Sequence, residues 1–183
     1  MTAPVADPRL KGRAVKRIAF DEATIARRVQ ELGREISEAY PDGELLVLGL
    51  LKGSFIFLAD LVRQIQRPLH VDFLVASSYG DATVSSGQVK LVYDPETKLE
   101  GKHILLVEDI VDSGRTLQRL LTLLRERNPE SLEICALLHK HIATELHHPT
   151  RFIGFDAPNE FLVGYGLDHA EDFRHVPYVA SLQ

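Results

Sequence analysis

Apolar and polar positions follow two different periods along this chain. The switch between them is sharpest in residues 104–124, ILLVEDIVDSGRTLQRLLTLL. Four apolar residues, Ile104 to Val107, precede two acids, Glu108 and Asp109. Ile110 and Val111 lead into a polar turn, after which Leu117, Leu120, Leu121 and Leu124 recur at i, i+3, i+4 and i+7. A continuous apolar run reads as a buried strand, and the recurring leucines read as one face of a helix, so the stretch predicts strand, tight loop and amphipathic helix.

The rest of the chain repeats this alternation. Ile25, Val29, Leu32 and Ile36 form a helical stripe ending near Ala39, with Asp21 as its N-cap and Pro41, Asp42 and Gly43 as its stop. Residues 45–51, LLVLGLL, are too apolar for a half-exposed strand and predict a central parallel one. Phe55, Leu58, Ala59, Val62 and Ile65 predict the buried face of a following helix, and residues 71–76 a strand that completes a βαβ unit. Further strands are expected at 88–93, 132–138, 151–155 and 161–163, with an arm or short edge strand in residues 1–16. Residues 77–87, SSYGDATVSSG, offer no core anchor and read as a loop or lid. Strands alternating with helices predict a parallel α/β sheet in a single domain, residues 1–183, with ligands at the carboxyl ends of the strands.

Composition narrows the function classes. At 183 residues, 45% hydrophobic and 26% charged, the chain suits one soluble globular domain. No apolar run approaches the ~20 residues of a membrane span, and the first residues lack the apolar centre of a secretion signal. The single cysteine, Cys135, lies in an apolar run, so a reducing cytoplasm is the expected compartment. A net charge of −5 argues against broad nucleic-acid binding. The histidines, including His139, His141, His147 and His148, show no zinc-ligand spacing.

The turn at residues 112–116 carries the chemistry. A tight loop entering a helix aims unpaired N–H groups and the positive end of the helix dipole at one point, where an anion, most naturally a phosphate, is stabilised. Gly114 allows a close backbone approach, and Ser113 and Thr116 add hydroxyl donors. Glu108 and Asp109 would repel that phosphate, so they must face another part of the ligand, and sugar hydroxyls are the natural partner. A phosphate cradle beside a diol-binding acid pair suits a ribose 5-phosphate.

The string VEDIVDSGRT closely resembles the signature of the type I phosphoribosyltransferases, the hypoxanthine-guanine branch in particular. LLKGSFIFLADL upstream and GYGLDHAEDFR downstream match further motifs in the same order, and the resemblance runs from about Ile18 onward. It implies an α/β type I phosphoribosyltransferase fold: a central parallel sheet flanked by helices, with a small hood from the termini. It implies purine salvage, with hypoxanthine, and guanine beside it, reacting with phosphoribosyl pyrophosphate to give IMP or GMP and pyrophosphate. A xanthine-preferring transferase and an RNA-binding, nucleotide-sensing regulator on the same fold are the alternatives. Magnesium is the implied cofactor, and a homodimer or homotetramer the implied assembly.

By this resemblance Glu108 and Asp109 hold the ribose hydroxyls, partly through magnesium, and Asp112, Ser113, Gly114, Arg115 and Thr116 wrap the 5-phosphate. Ser113 and Arg115 stand where relatives often carry threonine and lysine; both swaps keep the donors. Asp112 is the implied general base at purine N7; on residue type alone it reads as a helix cap. Lys52 and Gly53 would bind pyrophosphate through a peptide bond, between Leu51 and Lys52, that is often cis in the family. Lys140 would donate to the 6-oxo group, Phe161 would stack on the purine and Leu162 would offer its backbone to the base edge. Asp168 would hold a magnesium through water, Arg174 would lie near pyrophosphate, and Ser78 and Tyr79 would form the closing lid. Read singly, the lysines are strand-end charges, Phe161 is core, and Asp168 and Arg174 are surface charges.

Overall fold

Of the predicted apolar runs, all but 161–163 become strands of one sheet in the computed structural model, which describes residues 7–78, 89–140 and 146–183. In chain order the elements are β1 (Val15–Phe20), α1 (Glu22–Ala39), β2 (Leu45–Leu51), α2 (Phe55–Val62), β3 (His70–Ser78) and β4 (Val89–Tyr93). They continue with β5 (His103–Val111), α3 (Arg115–Arg125), β6 (Ser131–His139), β7 (Phe152–Asp156), β8 (Leu162–Val163) and β9 (Val179–Leu182). The main sheet has the order β4-β3-β2-β5-β6-β7. Only β4 runs antiparallel to its neighbour.

The central strands are apolar on both sides because both sides are covered. Along β2 and β5 the alternate residues Leu45, Val47, Leu105 and Val107 pack with the α1 stripe of Ile25, Val29, Leu32 and Ile36. Leu46, Leu48, Ile104 and Leu106 face the other way, onto Leu117, Leu120, Leu121 and Leu124 of α3. Burying each of those four leucines contributes ~2 kcal/mol, which fixes α3 and hence the loop before it. Asp21 caps α1 as its position predicts, accepting the Thr24 N–H at 2.7 Å.

The second helix departs from the expected face. Phe57, Leu58 and Leu61 are buried, whereas Phe55 is 44% exposed and Ala59 is also exposed. The helix is only 8 residues long; Ile65, buried beyond its end, continues the line of Leu58 and Leu61, so the stripe fails only at Phe55 and Ala59, and Phe57 and Leu61 take their places.

A second, three-stranded sheet joins the two ends of the chain, in the order β1-β9-β8 with antiparallel pairing. Its own small core is Leu10, Val163, Phe173 and Val176. This is the hood, and β9 is a strand that no sequence period announced. Among the described residues no helix is long and apolar enough to cross a membrane.

Candidate active site

The acid pair sits on a strand rather than after one. β5 continues to Val111, held by β6 through Glu108↔Ala136 and Ile110↔Leu138. Its pairing with β2 ends earlier, at Gly49↔Val107. Past that point the acids bond neighbouring amides: Asp109 N–H donates to Glu108 Oε2 at 3.1 Å, and Ile110 N–H to Asp109 Oδ1 at 2.8 Å. Burial pushes the Glu108 carboxyl well above its ordinary range, with the negative charge of Asp109 as the second cause. Burial also raises Asp109, against the lowering effect of its hydrogen bonds and of Arg174.

A carboxylate raised in the fold disfavours its own ionisation there, so its cost grows as pH rises above the unfolded value and vanishes below it. Glu108→Gln is therefore expected to raise the thermal midpoint of the metal-free protein at pH 8, with the gain shrinking towards pH 4. Thermal scans across that range check it; a midpoint lowered at pH 8 would contradict the burial argument.

The phosphate loop follows directly. Gly114 adopts φ +81° and precedes the first residue of α3, with Gln118 N–H returning to its carbonyl at 2.8 Å. It is glycine for two reasons. Its φ is left-handed, and an added Cβ would lie 2.5 Å from Leu146 Cβ. The packing against Leu146 was invisible in the sequence. Ser113, Arg115 and Thr116 are exposed around the start of α3, and the Arg115 N–H reaches Ser113 Oγ at 3.4 Å.

Asp112 does not cap the helix; Gly114 takes the N-cap position without a side-chain bond. Asp112 instead meets Lys140, with Nζ 3.2 Å from Oδ1. Adjacent strand ends bring them together: Val111 pairs with His139, and the Lys140 N–H donates to Val111 O at 2.9 Å. The Lys140 side chain is only 14% exposed, so it is not a solvated strand-end lysine. Ala157 N–H donates to His139 O at 2.8 Å, so the segment leading to Phe161 starts beside Lys140. Phe161 is 63% exposed, which removes the core reading, and it meets His169 edge-on at 5.3 Å. Leu162 is buried and pairs with Ser181 in the hood.

On the other side of the acids, the Leu51–Lys52 peptide is cis. A Cβ on Gly53 would lie 1.7 Å from Asp109 Oδ2, and one on Gly166 would lie 2.0 Å from Gly53 O. Carboxylate, Gly53 and Gly166 are thus stacked in backbone contact, and the stack brings residues 166–174 to the end of β2. Lys52 Nζ lies 3.1 and 3.2 Å from the Glu171 carboxylate. Arg174 lies 2.8 Å from Asp168 and donates to Gly166 O at 2.8 Å. Asp168 and Arg174 are therefore parts of a tied loop rather than loose surface charges. Glu171 and Gly166 were missed at the sequence level. The GYG spacing offered a hint for Gly166, and nothing in the neighbours of Glu171 marked it.

Not every expected group is brought together. Among the described residues no three metal-binding side chains converge. Asp168 spends one oxygen on Arg174 and the other on the Glu171 N–H, at 2.8 Å each. The acid pair alone still fits a hard cation, because two adjacent carboxylates raised by burial are offset only in part by Arg174, and a magnesium site commonly uses one or two carboxylates. Ser78 ends β3, and Tyr79 lies outside the described residues.

Comparison with known proteins gives a consistent result. Residues 20–170 match the model of the phosphoribosyl transferase domain family. A hypoxanthine phosphoribosyltransferase of Salmonella typhimurium is 47% identical over 167 residues, covering 90% of this chain and 94% of that protein. A hypoxanthine-guanine phosphoribosyltransferase of Dictyostelium discoideum is 46% identical over 172 residues, covering 92% and 96%. The crystal structure of a hypoxanthine phosphoribosyltransferase from Staphylococcus aureus superposes with a TM-score of 0.91 at 35% identity, covering 98% of this chain and 96% of that one.

Proposed function

The chain belongs to the phosphoribosyltransferase family, and on that premise we propose that it moves the phosphoribosyl group of phosphoribosyl pyrophosphate onto hypoxanthine and guanine, releasing pyrophosphate. The observation that carries the reading is the Asp112–Lys140 pair, 3.2 Å apart at the ends of adjacent strands. O6 and N7 lie side by side on the edge of a 6-oxopurine. An ammonium donor beside a carboxylate acceptor matches that edge when N7 carries the proton. Adenine turns an amine towards Lys140, leaving two donors face to face.

The roles follow from position. Main-chain amides around Ser113, Gly114, Arg115 and Thr116 hold the 5-phosphate at the start of α3. Glu108 and Asp109 accept from the ribose hydroxyls. Lys52, Gly53 and Arg174 take the pyrophosphate. Phe161 stacks on the base and Leu162 offers backbone groups to its edge. Asp112 takes the N7 proton as N9 attacks the anomeric carbon, where positive charge develops as pyrophosphate leaves. Glu108 and Asp109, with Asp168 through water, would hold magnesium, which when bound neutralises the charge of the departing pyrophosphate. Ser78 and Tyr79 belong to the lid that shields the sugar cation from water.

The test is to incubate the protein with magnesium, phosphoribosyl pyrophosphate and each purine in turn. Hypoxanthine and guanine are expected to react with a kcat/KM on the order of 10³ times that of adenine. Equal rates with adenine, or no reaction with either 6-oxopurine, would overturn the reading.

The protein is proposed to act as a homodimer or homotetramer in the cytoplasm. Val71 and Phe73 register with Val47 and Gly49 of β2, so they share the sheet face that α1 and α2 cover farther along, yet they are 42% and 36% exposed. Tyr93, opposite Val75, is 42% exposed. Apolar side chains left open on a sheet face support burial against a second copy. Sedimentation at micromolar concentration is expected to show an oligomer; a monomer at every concentration contradicts it. Cys135, the one cysteine of the chain, is a buried free thiol, so the fold uses no internal disulfide, which supports a reducing compartment. Fractionation of cells expressing the protein checks the compartment, and enrichment with membranes or outside the cell contradicts it.

A further inference from the structure

We propose that Glu171 is an internal stand-in for pyrophosphate: its carboxylate occupies the cationic end of the site in the free enzyme and gives way when the diphosphate arrives. The inference rests on the pyrophosphate role read for Lys52 and Arg174. Among the described residues, Glu171 is a side chain that touches both. Its carboxylate lies 3.1 and 3.2 Å from Lys52 Nζ and 3.6 Å from the Arg174 guanidinium.

The surroundings are built for exchange. Glu171 is held by its backbone, since its N–H donates to Asp168 Oδ2 at 2.8 Å. Ala170, Glu171 and Phe173 all adopt left-handed backbone conformations, with φ of 52°, 68° and 75°. Such conformations are costly for residues other than glycine and persist only where the surroundings over-determine them. The neighbouring Asp172 is tied to Lys11 at 2.5 Å, which adds an anchor from the hood. The side chain itself is free to leave: Lys52 and Glu171 are each 66% exposed. Arg174 would stay in place without it, because Asp168 holds one end at 2.8 Å and Gly166 O accepts from the guanidinium at 2.8 Å. Removing Glu171 therefore frees the donors of Lys52 without dismantling the site.

A carboxylate already on Lys52 competes with any incoming phosphate oxygen. An exposed ion pair is weak, so the competition is modest, about two- to fivefold in affinity. The sign is the informative part, because most substitutions near a binding site weaken binding, whereas this one is expected to strengthen it.

The test uses the full-length Glu171→Gln variant and titrates inorganic pyrophosphate, with magnesium, into it and into the original protein by calorimetry. The expected result is pyrophosphate binding tighter by about two- to fivefold. In steady state, KM for phosphoribosyl pyrophosphate is expected to fall by a similar factor. KM for hypoxanthine is expected to move less, and kcat to stay level or fall as the product leaves more slowly. Should the glutamine variant fail to fold, Glu171→Asp, whose carboxylate reaches less far, is expected to shift pyrophosphate affinity in the same direction by less. Unchanged or weaker pyrophosphate binding in the variant overturns the proposal, as does an original protein that binds no pyrophosphate. Calorimetry reads this contact without any transfer reaction, so a failed purine assay would count against the proposed function and leave this result standing.

Discussion

Replacing Asp112 with asparagine is expected to lower kcat about 10²-fold or more while the fold survives. The side chain is 59% exposed, caps no helix, and meets Lys140 at 3.2 Å. Asparagine keeps its shape and an oxygen for that lysine, so packing has no reason to change. What it loses is the ability to accept a proton. If proton removal from N7 accompanies attack by N9, the loss falls on kcat, with little change in KM for phosphoribosyl pyrophosphate. Circular dichroism and thermal scans establish that the variant is folded. A folded variant with near-normal turnover removes Asp112 from the chemistry and leaves it a partner of Lys140 only.

The second large effect is expected at Gly53. An alanine there sets a methyl group 1.7 Å from Asp109 Oδ2 and 2.4 Å from its Cγ, so one of them must move. The Asp109 carboxylate is the short end of a side chain at the edge of the site, and turning it aside disturbs little of the core. The loss should therefore appear in binding rather than in stability. Gly53→Ala is expected to reduce kcat/KM for phosphoribosyl pyrophosphate ~10²-fold, since misplacing a positioning group by about 1 Å costs that much. The thermal midpoint is expected to stay within a few degrees. A variant that binds normally would mean that the carboxylate tolerates displacement and does not grip the sugar. The stack is continued by Gly166, whose missing side chain lets it lie against Gly53 O. Two glycines distant in sequence thus set one position, that of Asp109.

The elements were legible where periodicity is long. The α1 stripe and the β2 and β5 runs are continuous patterns, and the two cores they form follow from them. In the short helix α2 the apolar pattern locates Leu58 and Ile65 but not Phe55 and Ala59, because 8 residues give barely two turns from which to fix a face. β9 carries no alternation to detect; its pairing with β1 and β8 is a tertiary contact between the two ends of the chain.

The candidate site divides in the same way. Asp112 to Thr116 and the acid pair are local, so the string that encodes them also locates them. Their partners are not. Lys140 meets Asp112 across 28 residues of sequence because two parallel strands end together. Leu146 packs on Gly114, and Glu171 meets Lys52 across 119 residues, by contacts no spacing rule encodes. The resemblance named most of these groups individually. It gave neither the stacking of Gly53 on Asp109 nor the occupation of Lys52 by an acid of the same chain.

The most direct test is a crystal structure of the protein with bound IMP. The predicted result is a 5-phosphate whose oxygens lie ~3 Å from main-chain nitrogens between Ser113 and Thr116. Its ribose hydroxyls should face Glu108 and Asp109, and its O6 should face Lys140. A nucleotide seated elsewhere, with those amides left to solvent, would contradict the account.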